Sequence, residues 1–169
     1  MIKNSFLFTA ISLLFSVSSI AQKDAPFTEA MKKEMCNKVK EAAQHAWKGY
    51  KDYAWGADDL KPLTKNAKTW YKTSMLMTPV DAFDTFTLLG LTTEAKEAKE
   101  LILTKLDFNI DNDVQVFEIT IRLLAGLLTA YEMDGDKKFL TLAKDLGDRL
   151  MPAFNSKTGM PYRYVHLQT

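Results

Sequence analysis

The sequence predicts an all-α protein, an (α/α) toroid of antiparallel helix hairpins present as an incomplete arc of about five helices. Apolar residues recur with the helical period in five segments, and no run of alternating residues makes a convincing strand. Helices that are apolar on almost every face also alternate along the chain with helices that have a broad polar face. Because the first kind lies inside and the second outside, the alternation favours a ring of inner and outer helices. A plain bundle or an α-solenoid would give a similar string, so periodicity alone leaves these alternatives open.

The N-terminus has the pattern of a secretory signal peptide. A basic residue precedes an apolar run over residues 6–17, and small residues at Ser19 and Ala21 fit a cleavage site. We therefore expect a signal peptide at 1–21, a mature domain at 22–169, and export to the periplasm or the extracellular medium. The alternative is an uncleaved segment that anchors the protein in a secretory lumen, although the run is shorter than the roughly 20 residues of a spanning helix. Stable membrane insertion after cleavage is not expected.

The composition argues against several classes of protein. The 169 residues are 25% charged with a formal net charge of +1, and basic residues are interspersed with acidic ones. No basic stripe is therefore predicted, and nucleic acid is not an expected partner. Cys36 is the only cysteine, so no internal disulfide forms. His45 and His166 lie far apart and lack the spacing of zinc ligands, so no residue is assigned to a metal.

The first two helices are predicted over residues 28–54 and 78–91. The second has a capping-box-like start, with Thr78 as the N-cap residue, Pro79 at the first helical position and Asp81 at the third. It is apolar on nearly every face, which predicts an inner helix.

The third and fifth helices are predicted to lie outside. The third, residues 92–106, is strongly charged on one face. The loops at 109–115 and 155–164 are rich in turn formers, and the second of them could hold a short hairpin. The fifth helix, from about 136 to 154, is expected to bury one apolar side, formed by Leu140, Ala143, Leu146 and Leu150.

The fourth helix, residues 116–131, is apolar nearly all the way round but carries Glu118 and Arg122 one turn apart. At this spacing the two side chains share a face, so they are expected to satisfy each other or to face a water-filled cavity. A structural ion pair, or a pair at the exposed start of the helix, is the simpler interpretation. The functional interpretation is a pocket in which a carboxyl group in partly apolar surroundings acts as a general acid.

Several motifs in the same order resemble glycoside hydrolase family 47, the class I α-1,2-mannosidases that trim high-mannose glycans. The likeness covers about residues 38–161 and rests on four stretches: HAWKGYKDYAWGADDLKPL, TPVDAFDTFTLLGL, LDFNIDNDVQVFEITIRLLAGLLTAYEMDGD and DLGDRLMPAFNSKTGMPY. The resemblance implies a toroid of seven helix hairpins, a Ca²⁺ ion in the pore and hydrolysis with inversion. Glu118 matches the glutamate of the family's FE-x-TIR motif, which is usually assigned as the catalytic acid. Arg122 matches the arginine of that motif, which lines the subsite at the cleaved bond.

The resemblance also implies parts that this sequence does not hold. Only five of the family's fourteen barrel helices can be identified, and the catalytic base and the calcium ligands are expected in segments after Thr169. An open arc would expose the apolar flanks of its inner helices. We therefore expect the sequence to be the N-terminal piece of a longer glycosidase, inactive and poorly soluble alone.

Other matched positions carry weaker expectations. Asp81 and Asp84 match the family's DALDT pattern and are candidate substrate contacts, although capping explains Asp81 adequately. Ala57 replaces the histidine of the family's HDEL, which removes a polar contact after the first helix. The tryptophans could stack on sugars but are more often core residues. Two other functions remain open: a mannosidase-like protein that binds glycans without turnover, and a helical-repeat interaction module, for which no repeat period is found.

Overall fold

The computed structural model describes residues 27–168, so the signal peptide expected at residues 1–21 lies outside the described residues. Five helical runs account for most of the described chain, as the sequence predicts. They are α1 (Glu29–Ala54), α2 (Met77–Leu89), α3 (Thr92–Lys105), a continuous run made of α4 (Val116–Ile119), a π-helical turn (Thr120–Leu124) and α5 (Ala125–Asp134), and α6 (Lys137–Leu150), which a 3₁₀ turn (Met151–Phe154) extends.

Four of the five helical runs form two hairpins, and α1 precedes them. Two-residue connections, Gly90–Leu91 and Gly135–Asp136, reverse the chain between α2 and α3 and between α5 and α6. α2 also packs against α5, which makes these two apolar helices the inner pair and leaves α3 and α6 outside. The all-α class and the alternation of inner and outer helices are therefore confirmed.

The inner helices approach each other closely at Gly126. A Cβ atom at this position would lie 2.7 Å from Cγ1 of Val80 on α2, closer than side chains tolerate. Around this crossing the core is built from apolar side chains of both hairpins, including Phe83, Phe86, Ile102, Leu127, Phe139 and Leu146. The absence of a side chain at one position thus sets the distance between the two inner helices.

Four three-residue strands were not predicted. β1 (Asp59–Lys61) and β2 (Asn66–Lys68) form an antiparallel hairpin after α1, and β3 (Asp113–Gln115) pairs with β4 (Tyr164–His166). Three residues are too short to show the alternation that predicts a strand. The hairpin expected within residues 155–164 is wrong, because the end of that loop instead forms β4 and pairs with a distant strand.

The predicted capping box of α2 is also wrong. The helix begins at Met77 after Leu76, whose backbone is left-handed, and no side chain caps it. The Thr78 hydroxyl donates to the backbone carbonyl of Asp58 at 2.6 Å, and Asp81 bonds Arg122. Both side chains thus serve tertiary contacts in place of the helix start.

The long first helix is largely exposed over its N-terminal half. Its last two turns bury Trp47, Tyr50 and Ala54, and the Trp47 indole donates to Glu97 of α3 at 2.7 Å. None of the helices within residues 27–168 combines the length and the apolar character required to cross a membrane.

Candidate active site

The segment before α2 is organised by Asp58, whose side chain is 0% exposed. One of its oxygens accepts from the backbone amides of Met75 (2.7 Å) and Met77 (3.2 Å) and from the Ser74 hydroxyl (3.2 Å). The other accepts from the amide of Trp70 at 2.9 Å. A single carboxyl group therefore fixes both the start of α2 and the residue Trp70, and this role was missed in the sequence.

Trp70 lies half-buried between the β1–β2 hairpin and the inner helices. Its indole N–H donates to the Asp59 carboxylate, and the Arg122 guanidinium carbon lies over its ring, 4.6 Å from the centroid. The expectation that the tryptophans are core residues is confirmed for Trp47 but not for Trp55, which is 47% exposed. Trp70 packs against the core but is only partly buried, and two cations lie over its ring: Arg122 and the Lys68 ammonium, 5.6 Å from the centroid.

Arg122 pairs with Asp81 on α2. Its Nε donates to Oδ2 of Asp81 at 2.8 Å, and one terminal nitrogen donates to the same oxygen. Burial alone would lower the pKa of Arg122, but the hydrogen bond and charge of Asp81, followed by the charges of Asp59 and Glu118, raise it above its ordinary value. Of the two alternatives expected for this pair, mutual pairing of Glu118 and Arg122 is wrong, because the partner of Arg122 is Asp81.

Arg122 lies within a π-helical turn of its helix. The amide of Ala125 donates to the carbonyl of Thr120, five residues back, so Arg122 lies in a widened turn. In a regular α-helix, positions i and i+4 share a face, which is the basis for expecting Glu118 and Arg122 to meet. The Arg122 side chain instead reaches across to α2, where it binds Asp81.

Glu118 lies in the first turn of α4 and is half-buried. Within residues 27–168 its carboxyl group has no hydrogen bond and no ion pair. The helix starts where the Val116 amide donates to the Arg163 carbonyl at 3.0 Å, so the strand β4 segment helps to fix the position of this turn. Glu118 thus stands at the start of its helix, as the simpler interpretation expected, but without the partner which that interpretation required.

A recess of about 370 Å³ opens beside this turn. It is lined on the helix side by Val116, Phe117, Thr120 and Ile121, and on the other side by the segment around Tyr162; Glu118 is not one of its lining residues. The flank of the inner helix is exposed, as predicted, with Phe117 63% exposed.

Asp59, Trp70, Asp81 and Arg122 form one cluster, in which the guanidinium keeps unused N–H donors. Glu118, whose charge acts on the same guanidinium, adds a carboxyl group without a partner among the described residues. Such groups suit proton donation and hydrogen bonding to hydroxyl groups. Asp84, the other candidate contact, accepts from the Thr85 hydroxyl at 3.2 Å. Nowhere in residues 27–168 do three or more His, Cys, Asp or Glu side chains group together to hold a metal ion.

The sequence is similar to a family of glycosyl hydrolases. The sequence profile of glycosyl hydrolase family 47 matches residues 42–169. A mannosyl-oligosaccharide 1,2-alpha-mannosidase from Arabidopsis thaliana is 45% identical over 146 residues, which is 86% of this chain and 26% of the relative. An endoplasmic reticulum mannosyl-oligosaccharide 1,2-alpha-mannosidase from Rattus norvegicus is 45% identical over 160 residues, 95% of this chain and 23% of the relative. The chain therefore spans about a quarter of the length of these relatives.

A solved structure shares the fold. The alpha-1,2-mannosidase from Trichoderma reesei superposes with a TM-score of 0.73 over 80% of this chain and 31% of that protein, at 24% sequence identity. Its all-helical barrel and the helix hairpins described above confirm the predicted arc of an (α/α) toroid.

Proposed function

This chain belongs to glycosyl hydrolase family 47, and on that premise we propose that it supplies the proton-donating part of a calcium-dependent, inverting α-1,2-mannosidase. The substrate proposed is the terminal α-1,2-linked mannose of a high-mannose oligosaccharide. Two curated relatives that are 45% identical carry the name mannosyl-oligosaccharide 1,2-alpha-mannosidase, which supports this substrate class. The single observation that carries the assignment is the half-buried carboxyl group of Glu118, which has no partner within the described residues.

Glu118 is proposed as the catalytic acid. A glycosidic oxygen is a poor leaving group until it is protonated, so a carboxylic acid beside the bond must donate a proton. An acid can do this, directly or through a water molecule, only if its own oxygens are not held by a cation. Because Arg122 is bound to Asp81, Glu118 meets that requirement.

Arg122 is proposed to bind substrate hydroxyl groups at the cleaved bond. Its side chain is 26% exposed, and only Nε and one terminal nitrogen donate to Asp81. The remaining N–H groups have no acceptor within residues 27–168 and can donate to the oxygens of a bound sugar.

The catalytic base and the calcium ligands are assigned to no residue of this chain. An inverting enzyme needs a second carboxylate roughly 6.5–9.5 Å from the first to activate water. Calcium takes six to eight oxygen ligands. Within residues 27–168, no three His, Cys, Asp or Glu side chains lie close enough together to hold a metal ion. We therefore propose that the chain alone binds substrate but does not turn it over.

We further propose that the protein is exported. The N-terminal signal pattern supports this location, and several relatives are named as endoplasmic reticulum enzymes. The periplasm or the extracellular medium is the proposed compartment.

The proposal can be tested in a chimera in which residues 27–168 replace the matching quarter of the Arabidopsis relative. We expect the chimera to release mannose from an α-1,2-linked mannobiose and to lose activity in a calcium chelator. Glu118→Gln should lower kcat by about 10²–10⁴-fold, the range typical of a lost general acid. Glu132→Gln, at an exposed position of the same helical run, is the matched control and should change kcat little.

A folded chimera in which Glu118→Gln retains full activity removes Glu118 from the mechanism. A folded but inactive chimera that still binds the disaccharide favours a glycan-binding relative without turnover. Release of mannose by the chain alone would place the base within its own residues.

A further inference from the structure

We propose that Trp70, anchored by Asp59, is a positioning residue that holds the Arg122 guanidinium in one orientation, with its free edge presented to two neighbouring hydroxyl groups of a sugar. The sugar as ligand rests on the proposed function, whereas the positioning of Arg122 does not. Neither Trp70 nor Asp59 was a candidate for this role in the sequence. We call the four residues Asp59, Trp70, Asp81 and Arg122 the guanidinium clamp.

The clamp restrains the guanidinium in two directions. Asp81 binds it in its own plane, through Nε at 2.8 Å and one terminal nitrogen, but both bonds go to the single oxygen Oδ2. Two donors on one acceptor leave the group free to pivot about that oxygen. The Trp70 ring, whose centroid lies 4.6 Å from the guanidinium carbon, closes one side of the group and limits its movement in that direction.

Trp70 can act in this way only if its own ring is fixed. Its backbone amide donates to buried Asp58 at 2.9 Å, and its indole N–H donates to Asp59 of β1. Two adjacent acidic residues thus hold Trp70, Asp58 at its backbone and Asp59 at its indole ring. The same carboxylate of Asp59 lies 3.7 Å from the Lys68 ammonium of β2, which ties the anchor to the hairpin.

The free edge of Arg122 defines the ligand chemistry. The donors that Asp81 does not use point from a planar, rigid fork, and a planar fork of N–H groups suits two oxygens side by side. Neighbouring hydroxyl groups of a hexose are such a pair. Trp70 itself is not proposed as a sugar platform, because the Arg122 guanidinium and the Lys68 ammonium both lie over its ring.

The test observes Arg122 directly in the full chain. The Arg122 Nε–H signal, identified by its loss in Arg122→Lys, is followed by ¹H–¹⁵N NMR. We expect its hydrogen exchange to rise about tenfold in Trp70→Leu and in Asp59→Leu, the scale of a lost cation–π contact. Asp59→Asn keeps an acceptor for the indole and should stay within about twofold of the parent protein. Trp55→Leu, which changes an exposed tryptophan outside the clamp, should also leave the signal unchanged.

The second measurement adds α-1,2-mannobiose to the same samples. The parent chain should show shifts of the free Arg122 N–H signals, and Trp70→Leu should weaken the apparent affinity about tenfold while Asp59→Asn does not. Circular dichroism establishes whether each variant is folded. If Trp70→Leu does not fold, Asp59→Leu alone decides whether the clamp positions Arg122.

The outcomes separate the two proposals. Unchanged Arg122 exchange in both Trp70→Leu and Asp59→Leu overturns the clamp, whatever the sugar does. Equal mannobiose affinity in the parent chain and Trp70→Leu also overturns it, while leaving the proposed function intact. Faster exchange in the variants, together with no response of the parent chain to mannobiose, supports the clamp and counts against the proposed function.

Discussion

Replacing Asp58 is expected to destabilise the protein more than any surface change, in a graded way that follows from its hydrogen bonds. Asp58→Ala leaves four donors without their acceptor, of which the amides of Met75 and Met77 belong to fully buried residues that water does not reach. Each buried unsatisfied donor costs about 1–3 kcal/mol, so the two together should lower the free energy of unfolding by about 2–6 kcal/mol. The half-buried donors, the Trp70 amide and the Ser74 hydroxyl, can bind water and add less.

Asp58→Asn should cost about half as much. Its amide oxygen can replace the carboxylate oxygen that accepts from Met75, Met77 and Ser74, but its NH₂ group then faces the Trp70 amide, a second donor. One lost bond of this kind corresponds to about 1–3 kcal/mol.

Urea unfolding of the full chain, followed by circular dichroism, measures both values. Asp52→Asn is the matched control, because Asp52 is exposed and bonds only Lys48 across one helical turn; it should change the free energy of unfolding by less than about 0.5 kcal/mol. A loss below about 1 kcal/mol in Asp58→Ala, or equal losses in Asp58→Ala and Asp58→Asn, would refute the account of Asp58 as the acceptor that fixes this segment.

Two further predictions concern packing and pH. Gly126→Ala should destabilise the protein by about 1–3 kcal/mol in urea unfolding, and by less when Val80 is also shortened to alanine, because the new methyl group meets Val80 at 2.7 Å. Gly147→Ala on α6, where the new methyl group meets Cδ1 of Leu124 at an ordinary contact distance of 3.9 Å, should instead stabilise by about 0.5–1 kcal/mol. Two hydrogen bonds raise the pKa of His166: first the one to the Gln168 carbonyl, then the one to the Asp111 carboxylate. Protonation therefore stabilises the β3–β4 pairing fully below pH about 6.5, and this stabilisation is lost as the pH rises through the raised value. Amide protection factors in β4 should fall over that range, and His166→Gln should abolish the fall.

A feature could be predicted from the sequence where the residues that determine it are close together in the chain. The helices and their inner or outer positions follow from periodicity, which each segment carries in its own residues. The partner of Arg122 does not, because Asp81 lies on another helix, 41 residues earlier in the chain, and local spacing does not reveal that contact. Asp58 was missed for a related reason: its donors lie up to 19 residues further along the chain.

The structure gives a physical reason for the occurrence of three separated motifs in one sequence. ADDL supplies Asp59, PVDAFDT supplies Asp81 and FEITIR supplies Arg122, and all three meet at the guanidinium clamp around Trp70. Asp81, and not Glu118, binds the Arg122 guanidinium. Because Arg122 binds Asp81, its guanidinium does not occupy the carboxyl oxygens of Glu118. The proposed acid and the proposed sugar-binding group can therefore contact substrate independently of each other.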